Sequence, residues 1–179
     1  MKFLLKLVAG LAALVLLAAA ISFLLPNTYT VERTVVIKAK PETVFGMFGD
    51  LRRWKDWGAW HEKDPAMKMS FSEKTTGVGA WSAWESVSQG NGKMTFEVYE
   101  VPKRVAYKLE FPDMGMSSWG TLTLENADGG GTKVVWVDAG ELGMNPVHRW
   151  FGLFLDGMIG PDFEHGLQKM KSLAEKAAP

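Results

Sequence analysis

The chain has 179 residues, 47% of them apolar and 22% charged, which is the make-up of one ordinary globular domain rather than several. Twenty basic and twenty acidic residues cancel, and setting aside Lys2 and Lys6 leaves the remainder with a net charge of −2. That excludes the clustered basic face nucleic acid needs, and a count of zero cysteines excludes disulfides, thiolate metal sites and cysteine nucleophiles.

The first predicted element is an apolar helix. Lys2 and Lys6 precede an uncharged run from Leu7 to Leu25, ended by Pro26. Nineteen residues at about 1.5 Å rise cover about 28 Å, close to the hydrocarbon thickness of a bilayer. A cleaved signal peptide is the rival reading, with Ala18-Ala19-Ala20 as the small-residue site. The apolar run continues past that site through Ile21-Ser22-Phe23-Leu24-Leu25, which favours a membrane anchor over residues 1–26 and a domain over 27–179. The lysines predict a cytoplasmic N-terminus. The single-pass chain would then hold its C-terminal domain outside the cytoplasm, in the periplasm of a Gram-negative cell. Arg33, Lys38 and Lys40 on the far side weaken that orientation.

Tyr29–Ala39 is rich in Thr, Val and Ile and reads as a strand. Pro41-Glu42 opens a short helix whose apolar face is Val44, Phe45 and Phe48. Asp50 caps a second short helix, Leu51–Trp57, which Gly58 stops. The period then changes to two. Six strands are predicted at Met67–Ser72, Gly79–Val87, Lys93–Val101, Arg104–Phe111, Ser117–Ala127 and Thr132–Leu142. Turns at Gly90-Asn91-Gly92, Val101-Pro102-Lys103 and Asp128 to Gly131 make them an antiparallel meander. From Asn145-Pro146 to about Lys176 the spacing is helical. One stripe is Val147, Trp150, Phe151, Phe154 and Met158; Gly157, Gly160 and Pro161 kink or break it, and Phe163, Leu167, Met170 and Leu173 resume it. The fold class is therefore α+β, with a curled antiparallel sheet of about seven strands and one helix long enough to cover it.

That order, with Val35-Val36-Ile37, Pro41 to Phe45, Asp50 to Trp54, Gly79 to Ser86, Gly131 to Trp136 and Phe163 to Leu167, resembles the helix-grip fold of the START-like (SRPBCC) superfamily. The sequence is most similar to its bacterial polyketide cyclase/dehydrase and lipid-transport branch, over about residues 30 to 177. The resemblance implies a cavity between sheet and long helix that takes an apolar small molecule or lipid. It also implies that the region of Trp54, Trp57 and Trp60 forms a lid. Such folds host carriers, sensors and enzymes, so function does not follow from the fold.

No catalytic pattern stands out. The three histidines, His61, His148 and His165, lack metal-ligand spacing, and His61-Glu62 with Asp64 reads as a polar loop. Strand parity sends Met94, Phe96, Val98 and Glu100 inward on one strand and Val134, Trp136 and Asp138 inward on another. The two carboxylates fall at opposite rims, so they predict no acid/base pair. Trp84, Tyr107 and Leu109 also face inward by parity, while Trp119 opposes Leu122 and Leu124 and falls either on the surface or at a bulge. The expected function is a membrane-tethered binding domain for an apolar small molecule or lipid, without catalysis and without cofactor or metal. A cyclase- or hydrolase-type enzyme and a structural module with a filled interior are the alternatives. The expected ligand contacts are Trp54, Trp57, Trp84, Phe96, Tyr107, Trp136, Asp138, Phe163, Leu167 and Met170.

Overall fold

In the computed structural model, which describes residues 1–177, seven antiparallel strands form one sheet in the order β1-β7-β6-β5-β4-β3-β2. The strands are β1 (Thr28–Ile37), β2 (Lys68–Phe71), β3 (Trp81–Glu85), β4 (Gly92–Glu100), β5 (Arg104–Phe111), β6 (Met116–Asn126) and β7 (Thr132–Glu141). Six consecutive strands form the meander, and β1 returns to pair with β7 from Thr28↔Glu141 to Ile37↔Thr132. The helices are α1 (Lys2–Ser22), α2 (Pro41–Phe48), α3 (Trp54–Trp57), α4 (Ala59–Lys63), α5 (Pro146–Gly152) and α6 (Leu155–Ala177).

One face of the sheet is buried because alternate residues are apolar, and α6 covers it. Phe163, Leu167 and Met170 are buried against Trp136, Val134 and Leu122 in a single core with Val31, Val35 and Ile37 of β1. Arg33 is the exception on β1's inner face. Its guanidinium runs out across α6 at Gly160, where a Cβ would overlap it, and ends on Asp156 (2.8 Å) and Glu164 (2.6 Å). Pairing with Arg33 holds the Asp156 carboxyl below its ordinary range.

Local departures from the expected pattern have physical causes. Leu51–Arg53 is a 3₁₀ turn capped by Asp50, whose side chain accepts from Arg52 N at 3.0 Å, and α3 follows it. The expected polar loop after it is instead α4. There Glu62 pairs with His165 at 2.7 Å and with Lys169, and Lys63 pairs with Asp162, so α4 is strapped to α6. A bulge at Glu97 breaks the β4 parity. The β4–β5 register jumps from Phe96↔Tyr107 to Val98↔Ala106. Tyr99 therefore turns inward against Phe45 and Phe96, and Glu100, expected inside, is exposed and pairs with Arg104. The C-terminal helix also breaks elsewhere than expected: α6 runs through Pro161, and the interruption lies at Leu153–Phe154. The stripe from Val147 to Met158 consequently does not cover the sheet. It is exposed.

The α1 helix is long and apolar enough to cross a membrane, and its length and position suit a span or a signal sequence alike. Its contacts with other structure lie at its C-terminal end, from Ala18 onward. There the buried Arg149 directs Nη1 at the carbonyl oxygens of Ser22, Phe23 and Leu25, 3.3–3.5 Å away, placing a cation at the negative end of the helix.

Candidate ligand-binding cavity

Between the inner face of the sheet, the α3–α4 segment and α6 lies a partly open cavity of about 220 Å³. Its walls are mostly apolar. Trp54 and Trp60 line it from the short helices, Trp84, Leu109, Tyr107 and Trp136 from the sheet, and Ile159 and Phe163 from α6. At this size it falls below the roughly 300–1,000 Å³ of a drug-sized pocket, so it suits a small molecule or the end of one chain.

An aromatic cluster builds the wall. Trp136 stacks on Phe163 with centroids 3.8 Å apart, and Trp54, Trp57 and Trp60 each meet Trp136 edge-on. Indoles need a partner when buried, and these find one. Trp54 Nε1 donates to Phe48 O and Trp57 Nε1 to Met47 O, both at 2.8 Å, which ties α3 to the end of α2. Trp136 Nε1 donates to the Tyr107 hydroxyl at 2.8 Å.

The cavity has one built polar corner. Asp138 of β7 is buried, accepting from Tyr29 OH at 3.0 Å and from Ser118 Oγ at 3.1 Å. Three strands supply these groups, and register places them: Gly140 lies opposite both Tyr29 and Ser118, and Asp138 lies opposite Gly120. Burial pushes the Asp138 carboxyl up to about 6, while the bonds from Tyr29 and Ser118 hold it down. The same burial, with Asp138 beside it, raises the Tyr29 phenol. The Tyr107 phenol is raised for the same reasons. His61 of α4 also lines the cavity. Its buried Nε2 has no hydrogen-bond partner among the described residues, and burial, then Lys55, lowers its pKa.

Of the ten residues expected to meet a ligand, Trp54, Trp84, Tyr107, Trp136, Asp138 and Phe163 line the cavity. Trp57, Phe96, Leu167 and Met170 lie in the packed core behind it instead. Strand parity chose the correct face for Phe96, and the helical stripe did so for Leu167 and Met170, but neither carries information on depth; Trp57, expected in a lid, packs into the core. Gly166 of α6 likewise faces Trp136 and Trp57 in that core. Sequence reasoning missed Tyr29, Ser118 and His61. Tyr29 and Ser118 become neighbours of Asp138 only through the β1–β7 and β6–β7 registers, which no local pattern announces.

Over residues 28–175 the sequence matches the family described as polyketide cyclase / dehydrase and lipid transport. The chain belongs to that family. Solved structures share this polyketide cyclase-like fold. A Staphylococcus aureus protein of unknown function superposes with a TM-score of 0.63 at 14% identity, covering 84% of this chain and 95% of that one. An uncharacterized Rhizobium leguminosarum protein gives 0.60 at 18% identity, covering 83% and 95%. DynU16, from the dynemicin biosynthetic locus, gives 0.56 at 15% identity, covering 84% of this chain and 48% of that one. At such identities the likeness establishes the fold alone. No curated protein sequence matches the chain.

Proposed function

We propose that the protein is a membrane-tethered binding domain for a small apolar molecule or the end of a lipid chain, with residues 1–26 as anchor and 27–179 as the binding domain. The observation that carries this reading is the cavity: apolar on almost every side, open, and furnished with one hydrogen-bonded carboxylate. A structural module would have filled such a space with its own side chains, since interiors pack to crystal density. Affinity comes from apolar area removed from water, about 25 cal/mol per Å² before the costs of binding. Asp138 sets the polarity of the ligand's head. A carboxylate whose two oxygens already accept bonds has lone pairs left only for a donor, so an alcohol or an ammonium suits it and a second carboxylate does not.

Extraction of the purified full chain and mass spectrometry of the small molecules it carries tests the reading. A recurring apolar compound with a hydroxyl or amine terminus is expected, lost in Leu109→Trp, which fills the cavity. Recovery of nothing beyond bulk membrane lipid from either protein would remove the support. One observation favours a second reading, an enzyme of cyclase or hydrolase type. A buried carboxyl raised to about 6 at a cavity wall is suited to general-base work. On that reading the compounds recovered with Asp138→Asn differ in covalent structure from those recovered with the wild type. On the binding reading they are the same.

A further inference from the structure

From Leu142 to Leu155 the chain carries one formal charge, Arg149, and that side chain is buried. The α5 helix, the turn after it and the start of α6 nevertheless expose Val147, Trp150, Phe151, Leu153, Phe154 and Met158. Val147 is 71% exposed and Phe154 62%. Scattered surface apolar residues need no explanation, but a cluster this dense, whose one exposed charge, Asp156, is paired with Arg33, marks a surface that something covers. Its position says what. Trp150 Nε1 donates to Ala18 O of α1 at 3.1 Å, and Arg149 stands over the Phe23 ring, 5.3 Å from its centroid. Ala18 lies four residues before the end of α1 at Ser22, about 6 Å deeper along the axis at about 1.5 Å per residue. An indole bonded at that depth lies where tryptophans collect at a membrane interface, and an amphipathic helix beside it buries its apolar face about 5–10 Å into the same layer.

We propose that α5 and the first turn of α6 are seated in the lipid interface of the bilayer that α1 crosses, so that the domain lies on the membrane surface rather than hanging from a flexible tether. This rests on the reading of α1 as a span. The partner is the bilayer itself, and the patch offers nothing to anionic headgroups, so phosphatidylcholine suffices. The seat also adjoins the cavity: Met158 precedes Ile159, which lines the cavity together with Phe163. An apolar ligand could then pass from lipid to cavity along one helix.

Because the chain has no cysteine, single cysteines label cleanly. The full chain is reconstituted in phosphatidylcholine vesicles with an environment-sensitive fluorophore at Leu11→Cys, Val147→Cys, Phe154→Cys or Val87→Cys. Lipids carrying nitroxides in the headgroup region or deep in the chains serve as quenchers. The proposal expects Val147 and Phe154 to be quenched several-fold more by the shallow nitroxide than Val87, and Leu11 to be quenched by the deep one. Leu11 quenched with Val147 and Phe154 indistinguishable from Val87 overturns the seat and leaves the anchor standing. Leu11 unquenched overturns the anchor, and the seat with it. Blue-shifted emission at Phe154 without quenching by either lipid means that protein, such as a second copy of this chain, covers the patch, and that also overturns the proposal.

Discussion

Gly120 lies directly beneath the ring of Tyr107: a Cβ at Gly120 would overlap the tyrosine's Cζ and hydroxyl. The two are register partners on β6 and β5, and Tyr107 is buried with its hydroxyl accepting from Trp136 at 2.8 Å. The ring has no room to step aside without losing that bond. Gly120→Ala is therefore expected to destabilise the protein by overpacking, about 1–3 kcal/mol. Denaturant unfolding of the full chain in detergent measures it. A variant as stable as the wild type would contradict this packing.

Asp138 makes stability depend on pH in a definite direction. Its folded pKa is raised to about 6, against about 3.9 in an unfolded chain. Between about pH 4 and pH 6 the folded state keeps a proton that the unfolded state has released. Stability from this group is therefore full below about pH 4, falls as pH rises through 6, and is level above. The fall is on the order of 3 kcal/mol. The difference between wild type and Asp138→Asn across that window isolates it from the other carboxylates, which both proteins share. A difference that stays constant from pH 4 to pH 7 would show that Asp138 is not shifted by burial.

The expected fold was legible where local chemistry and tertiary structure agree. Alternation along β7 placed Val134, Trp136 and Asp138 inward, and the structure keeps all three there. It failed where one inserted residue changes the count, as at Glu97, or where tertiary contact overrides propensity. Pro161 should end a helix. Arg33 bridging Asp156 and Glu164 across it, with Gly160 and Phe163 buried alongside, holds the helix together on both sides. The cavity itself was legible only as a face. Which aromatics border space and which fill it depends on how Trp54 and Trp57 of α3 meet Trp136 of β7 edge-on, and that is a property of two segments far apart in the sequence.

Trp136 borders the cavity on one side and packs against Phe163 and Trp57 on the others. Trp136→Ala opens a new void on the packed sides and leaves the buried Tyr107 hydroxyl without its donor. The expected loss is about 3–5 kcal/mol, read by thermal or denaturant unfolding. A loss below about 1 kcal/mol would mean that the cavity already surrounds the indole.

Lys2 and Lys6, in the first turns of α1, predict a cytoplasmic N-terminus. An export-dependent reporter fused to the C-terminus is expected to be active and a cytoplasm-dependent one silent. The reverse pattern would place the binding domain in the cytoplasm. N-terminal sequencing of the membrane fraction checks the anchor at the same time: a chain beginning at Ile21 would identify α1 as a cleaved signal.

Head-group selectivity is the sharper consequence of the polar corner. With chain-matched octanol, octylamine and octanoate at pH 8, where Asp138 is ionised, the alcohol and the amine are expected to bind and the carboxylate to be excluded. Below pH 6 the carboxylate is expected to recover part of its affinity as Asp138 takes up a proton. Equal binding of all three at pH 8 would mean that the head does not reach Asp138.

Native mass spectrometry of the detergent-released full chain, titrated with octylamine, tests the central claim most directly. The cavity reading predicts a saturable adduct of one ligand per chain for the wild type and none for Leu109→Trp, with both proteins folded. No saturable adduct on the folded wild type, or the same adduct on the filled variant, would contradict it.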